Sequence, residues 1–207
     1  MTEAEFINLV LRKTKKGMSF IASVYKALSE VVEAQSQSQP QCFACHKGCS
    51  ACCHQLVTST EAEFDEIITY ILSLPRRQRD TILNRARKRA AEYQQWLEQH
   101  QLTGTVITSA EKIIWANEYW DGKPCAFLDE SGNCRVYPAR PIDCRTYHST
   151  SVCQNPTWSD VKRFVWPAET WANNLILEQG SKAQKFFGVV PLLHWLLIKS
   201  FKKSSPK

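Results

Sequence analysis

The sequence predicts a mainly α-helical chain, folded as a single domain around an irregular, cysteine-rich metal-binding centre. Three observations carry that expectation. Apolar residues recur at three- and four-residue spacing in the N-terminal third and again over residues 61–99. Two Thr-x-x-Glu capping boxes, Thr60 with Glu63 and Thr108 with Glu111, announce helix starts. All nine cysteines fall between Cys42 and Cys153, in two groups. A chain of 207 residues has the length of one compact domain. The expected division is a cysteine-cluster core over 42–150, an N-terminal helix over 1–34 and a C-terminal helical extension over 156–203. With 43% hydrophobic and 22% charged residues, wholesale disorder, collagen-like repeats and a polytopic membrane protein are excluded.

Residues 3–33 read as a helix, with Phe6, Leu9, Val10, Phe20, Ile21, Val24, Leu28 and Val31 on one face and Gly17 as the weak point that divides it. QSQSQPQ at 35–41 reads as a short polar linker. After the first cysteine group, the helix capped by Thr60 carries Glu61, Glu63, Asp65 and Glu66 in and near its first turn, where the macrodipole favours negative charge. Pro75 ends or kinks it after Leu74. A second helix over 76–99 places Ile82, Leu83, Ala86, Ala90, Tyr93 and Leu97 inward and its arginines mostly outward. The helix opened by Thr108 should stop at Gly122. Residues 125–153, rich in Pro, Gly, Asp and Ser, read as irregular structure with a short hairpin. The apolar run 186–198 is too short to span a bilayer, which needs about 20 residues, and reads as a buried C-terminal helix.

The opening MTEAEFINLV has no basic segment followed by an apolar core and a cleavage site, so the expected compartment is the reducing cytoplasm. There nine cysteines, an odd number, are poor candidates for a disulfide framework. Cys45, Cys49, Cys52 and Cys53 also fit the apolar face of a core helix, and free cysteines are often buried. Against that alternative, five thiols within twelve residues fill a core poorly, and Cys125, Cys134, Cys144 and Cys153 form a second group downstream. Clustered thiolates suit zinc and iron–sulfur clusters. A four-thiolate centre is anionic, and Lys47, Arg135, Arg140 and Arg145 lie near cysteines in sequence and could offset its charge. Pro141 suits the first position of a helix, which would put Cys144 in a first turn that favours its thiolate. For His46, His54 and His148 a solvated or hydrogen-bonded role outweighs ligation, while His100 and His194 have no ligand-like company.

CHKGCSACC at 45–53, followed by an acidic helix, and PCAFLDESGNCRVYPARPIDCR at 124–145 resemble the YkgJ-type cysteine cluster proteins, the CxxCxxxxCC zinc- or iron-chelating domain. The resemblance covers about residues 42–150. It implies a metal-binding set of Cys45, Cys49, Cys52, Cys53, Cys125, Cys134 and Cys144, with zinc or an iron–sulfur cluster as cofactor. The first spacing, Cys-x-x-x-Cys, departs from the family's Cys-x-x-Cys, and Cys42 is an alternative first ligand; Cys153 reads as an accessory. The implied function is metal binding in service of a protein partner or a redox pathway. Flagellin lysine methylases carry a similar cluster, so an enzyme of protein lysine methylation is one alternative, although no methyl-donor loop is recognisable. A zinc-stabilised nucleic-acid-binding module using the arginines of 76–89 is another. A net charge of only +6 makes nucleic acid an unfavoured partner, a solvated helix face being the simpler account.

Overall fold

The structure, a computed structural model, describes residues 1–45, 48–102, 116–153, 165–182, 190–193 and 195–197. It is mainly helical, as the sequence predicts. Helix α1 (Glu3–Thr14) starts at a capping box between Thr2 and Glu5, and α2 (Phe20–Ser38) starts at Ser19, whose side chain accepts from the Ala22 N–H. Gly17 divides them in the left-handed conformation, φ +87°, which L side chains rarely adopt. Phe6, Val10, Val24 and Leu28 are buried in one cluster, and Lys13 meets Glu30 at 2.8 Å on its rim.

The polar linker expected at 35–41 is shorter than its composition suggests. Helix α2 runs on through Ser38, where the Ser36 and Ser38 hydroxyls donate back to the carbonyls of Glu33 and Gln35. The serine hydroxyls thereby bond back to the preceding turn and do not compete with the helix. A single 3₁₀ turn at Pro40–Cys42 then leads into the cysteine segment.

Helix α3 (Glu61–Ser73) opens at the Thr60–Glu63 capping box and stops at Leu74; α4 (Arg76–Gln99) follows Pro75 directly. The apolar face of α4 buries Ile82, Ala86, Ala90, Tyr93 and Leu97. The helix expected from Thr108 is described only over its last residues, 116–120 (α5), the capping box itself lying outside the described residues. It ends at Gly122, which adopts φ +71°. Tyr93, Trp96, Tyr119 and Trp120 pack between α4 and α5 with ring centroids 4.8–6.1 Å apart.

Helix α6 (Ile142–Thr146), of five residues, and α7 (Pro167–Lys182), of sixteen, follow. The C-terminal apolar run departs from the expected helix. Val190–Pro191 form a strand (β2) antiparallel to Thr58–Ser59 (β1), Thr58 opposite Pro191, and among the described residues of the run helix appears only at 195–197. Pro191 accounts for this, since proline has no N–H to donate to the preceding turn in a helix interior. Leu192 donates to the Val57 carbonyl at 2.8 Å, and the buried Trp195 indole donates to the Ser59 carbonyl at 3.1 Å. The last apolar residues are thus fastened immediately beyond the first cysteine group.

Buried side chains form two clusters. One joins α3, α4, α5, the 126–139 segment and Leu192, Leu193 and Trp195. The other joins α1, α2, Ile142 of α6 and the Ala168–Ile176 face of α7.

Candidate metal centre

The first cysteine segment is not the core helix that its spacing also allowed. Gly48 takes φ +90°, and Ala51–His54 form a 3₁₀ turn in which the Cys53 N–H donates to the Ser50 carbonyl at 2.9 Å. Cys49, Cys52 and Cys53 are half-buried free thiols, as are Cys45, Cys125, Cys134, Cys144 and Cys153. Two backbone bonds clip this turn to the second group: Cys125 N–H to the Cys53 carbonyl at 2.7 Å, and Gly122 N–H to the His54 carbonyl at 2.9 Å. The bend at Gly122 therefore ends α5 and also delivers Cys125.

Cys134 sits on the expected short hairpin, opposite Leu128. Asp129 shapes its turn by accepting from the Ser131 and Asn133 N–H groups at 2.9 and 2.8 Å, the self-bonding turn that aspartate favours. Gly132, at φ +77°, passes close to Ser50, whose hydroxyl oxygen lies 3.5 Å from where a Cβ would stand. The hairpin and the 3₁₀ turn of the first group are thus in contact.

Cys144 is positioned by a buried carboxylate. Pro141 is the cap of α6, one position earlier than its expected place inside the helix, and Cys144 does fall in the first turn. Glu63, the third residue of α3, accepts the Thr60 N–H at 2.9 Å, the Ile142 N–H at 2.8 Å and the Tyr25 hydroxyl at 3.4 Å. One side chain therefore caps α3, caps α6 and contacts α2. Asp143 adds a second tie by accepting the Thr58 N–H at 3.1 Å. Burial pushes the Glu63 carboxyl up, against the Thr60 and Ile142 N–H groups that hold its charged form.

The thiols interact electrostatically in two neighbourhoods that meet at Cys52. Cys125 is pushed up to about 12, by burial first and then by Cys134 and Cys52. Cys144 is raised by burial, Cys125, Asp143, Cys134 and Cys52, so desolvation overrides the expected benefit of its place in a five-residue helix. Cys52 itself is raised by its contact with the Cys53 thiol and by burial. Cys45 is raised by burial, opposed by the Ser149 N–H that donates to its sulfur at 3.3 Å, with Cys49, Cys52 and Cys153 adding to the rise. Among the described residues no three Cys, His, Asp or Glu side chains already converge on a common metal position. The donor chemistry nonetheless fits zinc or iron, because the residues surrounding these thiols electrostatically are mostly other thiols.

Of the four cations expected to offset the charge, two take part. Arg140 pulls down Cys52 and Cys134, and Arg145 pulls down Cys134. Arg145 is fixed over the Tyr25 ring at 4.0 Å and donates to the carbonyls of Arg140 and Pro138. Arg135 instead turns to Asp129 at 2.9 Å, and Lys47 lies outside the described residues. His54 is bonded through Nδ1 to the Ser50 carbonyl at 3.0 Å, and His148 packs edge-on to Phe43. His100 bonds to the Trp96 carbonyl at 2.8 Å; His46 and His194 lie outside the described residues. A cleft of about 330 Å³ opens beside Cys125, between Arg85, Lys88, Arg89 and Glu92 of α4 and Leu128–Glu130 of the hairpin. On its wall Arg85 is held by the Leu128 carbonyl and Glu130, and Arg89 by Glu92. The basic stripe of α4 is therefore partly neutralised within the chain.

Helices gathered round a thiol-rich centre define the class: a helical protein with a cysteine cluster suited to soft metals. The chain belongs to the CxxCxxCC family, described as "Putative zinc- or iron-chelating domain", whose model matches residues 44–170. That match extends beyond residue 150 and takes in Cys153, Trp166 and the start of α7. Cys49, Cys52 and Cys53 follow the spacing in the family's name, while Cys45 stands one residue farther away. No curated protein and no solved structure matches the chain. Among the described residues no helix is long and apolar enough to cross a membrane.

Proposed function

We propose that this chain is a cytoplasmic, single-domain metal-binding protein that chelates zinc or an iron–sulfur cluster through Cys45, Cys49, Cys52, Cys53, Cys125, Cys134 and Cys144, serving a protein partner or redox pathway. The observation that carries the reading is the mutual approach of two cysteine groups some seventy residues apart in sequence. Cys125 donates its N–H to the Cys53 carbonyl, and Cys52 is felt electrostatically at Cys125, Cys134 and Cys144. Thiols whose protons are held by burial become good ligands when a cation replaces the proton, because the metal supplies the positive charge that burial demands. Zinc would supply a structural or Lewis-acid centre and an iron–sulfur cluster an electron-transfer one. The role of this chain's residues would be to hold the two cysteine groups side by side, as the Cys125 N–H to Cys53 carbonyl bond does.

The test is the metal content and visible spectrum of anaerobically purified protein. Brown protein with equal iron and acid-labile sulfide establishes a cluster; colourless protein with stoichiometric zinc establishes a zinc centre. Neither metal, with nine titratable thiols, would end the proposal.

A second reading, an enzyme with an open coordination position, is favoured by the cleft that reaches Cys125. Cobalt-substituted protein whose spectrum shifts on adding azide or imidazole supports an open position. An unchanged spectrum argues for a closed one.

A further inference from the structure

Two buried hydrogen-bonding groups in this fold meet no protein partner, and the residues that carry them line one small cavity. Gln55 is 7% exposed and Trp120 5%. Among the described residues nothing bonds to the Gln55 Oε1 or to the Trp120 Nε1. A buried polar atom left so costs the free energy of its lost hydration, which is why such atoms in folded proteins are paired with protein groups or with ordered water. The buried Trp195 indole follows that rule by donating to the Ser59 carbonyl at 3.1 Å.

The backbone brings the two groups together. The Cys125 N–H donates to the Cys53 carbonyl at 2.7 Å, the Gly122 N–H to the His54 carbonyl at 2.9 Å and the Leu192 N–H to the Val57 carbonyl at 2.8 Å. Gln55 is the residue after His54, and Trp120 lies two residues before Gly122. Residues at and beside these ties line a cavity of about 20 Å³, with Gln55, Trp120 and Cys125 as its polar members and Val57, Leu192 and Leu193 among its apolar ones. A water molecule needs on the order of 10–15 Å³ for its centre and roughly two to four polar partners. The volume therefore suits one water and is far too small for a cofactor or a metabolite. The chemistry of the pair is equally selective, because an indole nitrogen only donates and an amide oxygen only accepts. The two atoms are complementary, yet they do not bond each other. Water can accept from one and donate to the other. An anion would answer the indole alone, and a metal cation the amide oxygen alone.

We propose that the chain binds one internal water molecule beside Cys125, which accepts from the Trp120 indole N–H and donates to the Gln55 Oε1. The site is part of the scaffold. It adds a solvent bridge between the segment just after the first cysteine group and the end of α5, next to the backbone bond from Gly122 to His54. The bridge requires no metal, so it stands apart from the proposed metal binding, and its failure would leave that reading untouched.

The experiment is a crystal structure of the purified full chain at a resolution that shows ordered water, paired with that of a Gln55→Met variant, whose side chain is similar in length and carries no oxygen. The expected result is a single peak of water density within about 3.2 Å of both the Gln55 Oε1 and the Trp120 Nε1, lost in the variant. In the parent chain, a direct bond from Trp120 to Gln55, a dry cavity, or density bonded to only one of the two atoms overturns the proposal. Anomalous scattering that identifies the peak as chloride or a metal ion overturns it too. The parent structure decides the matter even where the variant fails to fold. Water retained unchanged in a folded Gln55→Met variant also overturns the bridge, because it would then be held without Gln55.

Discussion

At the scale of single residues, Gly48 and Glu63 set the shape of the centre. Gly48 adopts φ +90°, and nothing stands within 4 Å of where a Cβ would be, so Gly48→Ala introduces backbone strain without a clash. The expected cost is about 1–2 kcal/mol, read as a lower urea midpoint with an unchanged slope. Glu63 is a different case, a buried carboxylate that accepts from three separate elements. In Glu63→Gln the amide N–H groups face donors on one side, which should cost about 1–3 kcal/mol. The pH dependence has a definite sign. Burial raises the Glu63 carboxyl above its ordinary 4.5, so between that value and the raised one the folded chain holds a proton that the unfolded chain has lost. Stability from this group is therefore present at low pH and declines as pH rises through that window. Urea midpoints of the parent and Glu63→Gln should accordingly draw together as pH rises through it, and a gap that stays constant would show that the carboxyl does not titrate there. The capping role of Glu63 was legible from the Thr-x-x-Glu spacing. Its bond to Ile142 was not, because the partner lies 79 residues away.

At the scale of elements, the attachment of the C-terminal apolar run beside β1 is the contact that local pattern could not announce. The end of α3 and the start of α4 follow from Pro75, and the start of α3 from its cap, because those signals act within a few residues. A two-residue strand has no measurable period, and Leu192, Leu193 and Trp195 suit a buried helix as well as a strand followed by a turn. The serine-rich end of α2 escaped for a similar reason, since Ser and Gln favour a linker on composition alone. Trp195 gives the attachment an energetic test. Its side chain is 1% exposed and its indole N–H meets the Ser59 carbonyl. Trp195→Ala should cost about 3–5 kcal/mol in chemical denaturation, the range for deleting a buried aromatic. Trp195→Phe keeps most of the packing and removes only the indole hydrogen bond, since Ser59 still pairs with Val190, and should cost about 0.5–1.5 kcal/mol. Equal losses in the two variants would mean that the hydrogen bond, and not the packing, fastens the segment.

At the scale of the whole molecule, the cysteine centre adjoins both hydrophobic clusters. Phe127, Val136 and Ala139 anchor the hairpin side in the cluster of α3, α4 and α5, while Ile142 anchors α6 in the cluster of α1, α2 and α7. Cys134 and Cys144 thus hang from different clusters although they are only ten residues apart in sequence. The class of site was readable because cysteine spacing is local. The approach of the two cysteine segments was not, because it depends on Glu63, Asp143 and the Cys53–Cys125 backbone bond, each joining distant segments. If metal holds these segments, its binding free energy is part of the folding free energy of the centre. The helical clusters have apolar burial of their own and do not depend on it in the same way. Stripping the metal should therefore act selectively. Hydrogen exchange should accelerate strongly over residues 48–55 and 124–146, while the buried turns of α2 and α4 keep most of their protection and far-ultraviolet helicity falls little. Readdition of the metal should restore the slow pattern. Collapse of all helices together on stripping would mean that the clusters cannot stand without the centre. No change over 48–55 and 124–146 would mean that these segments are held by Glu63, Asp143 and packing alone, with metal a passenger on a preformed scaffold.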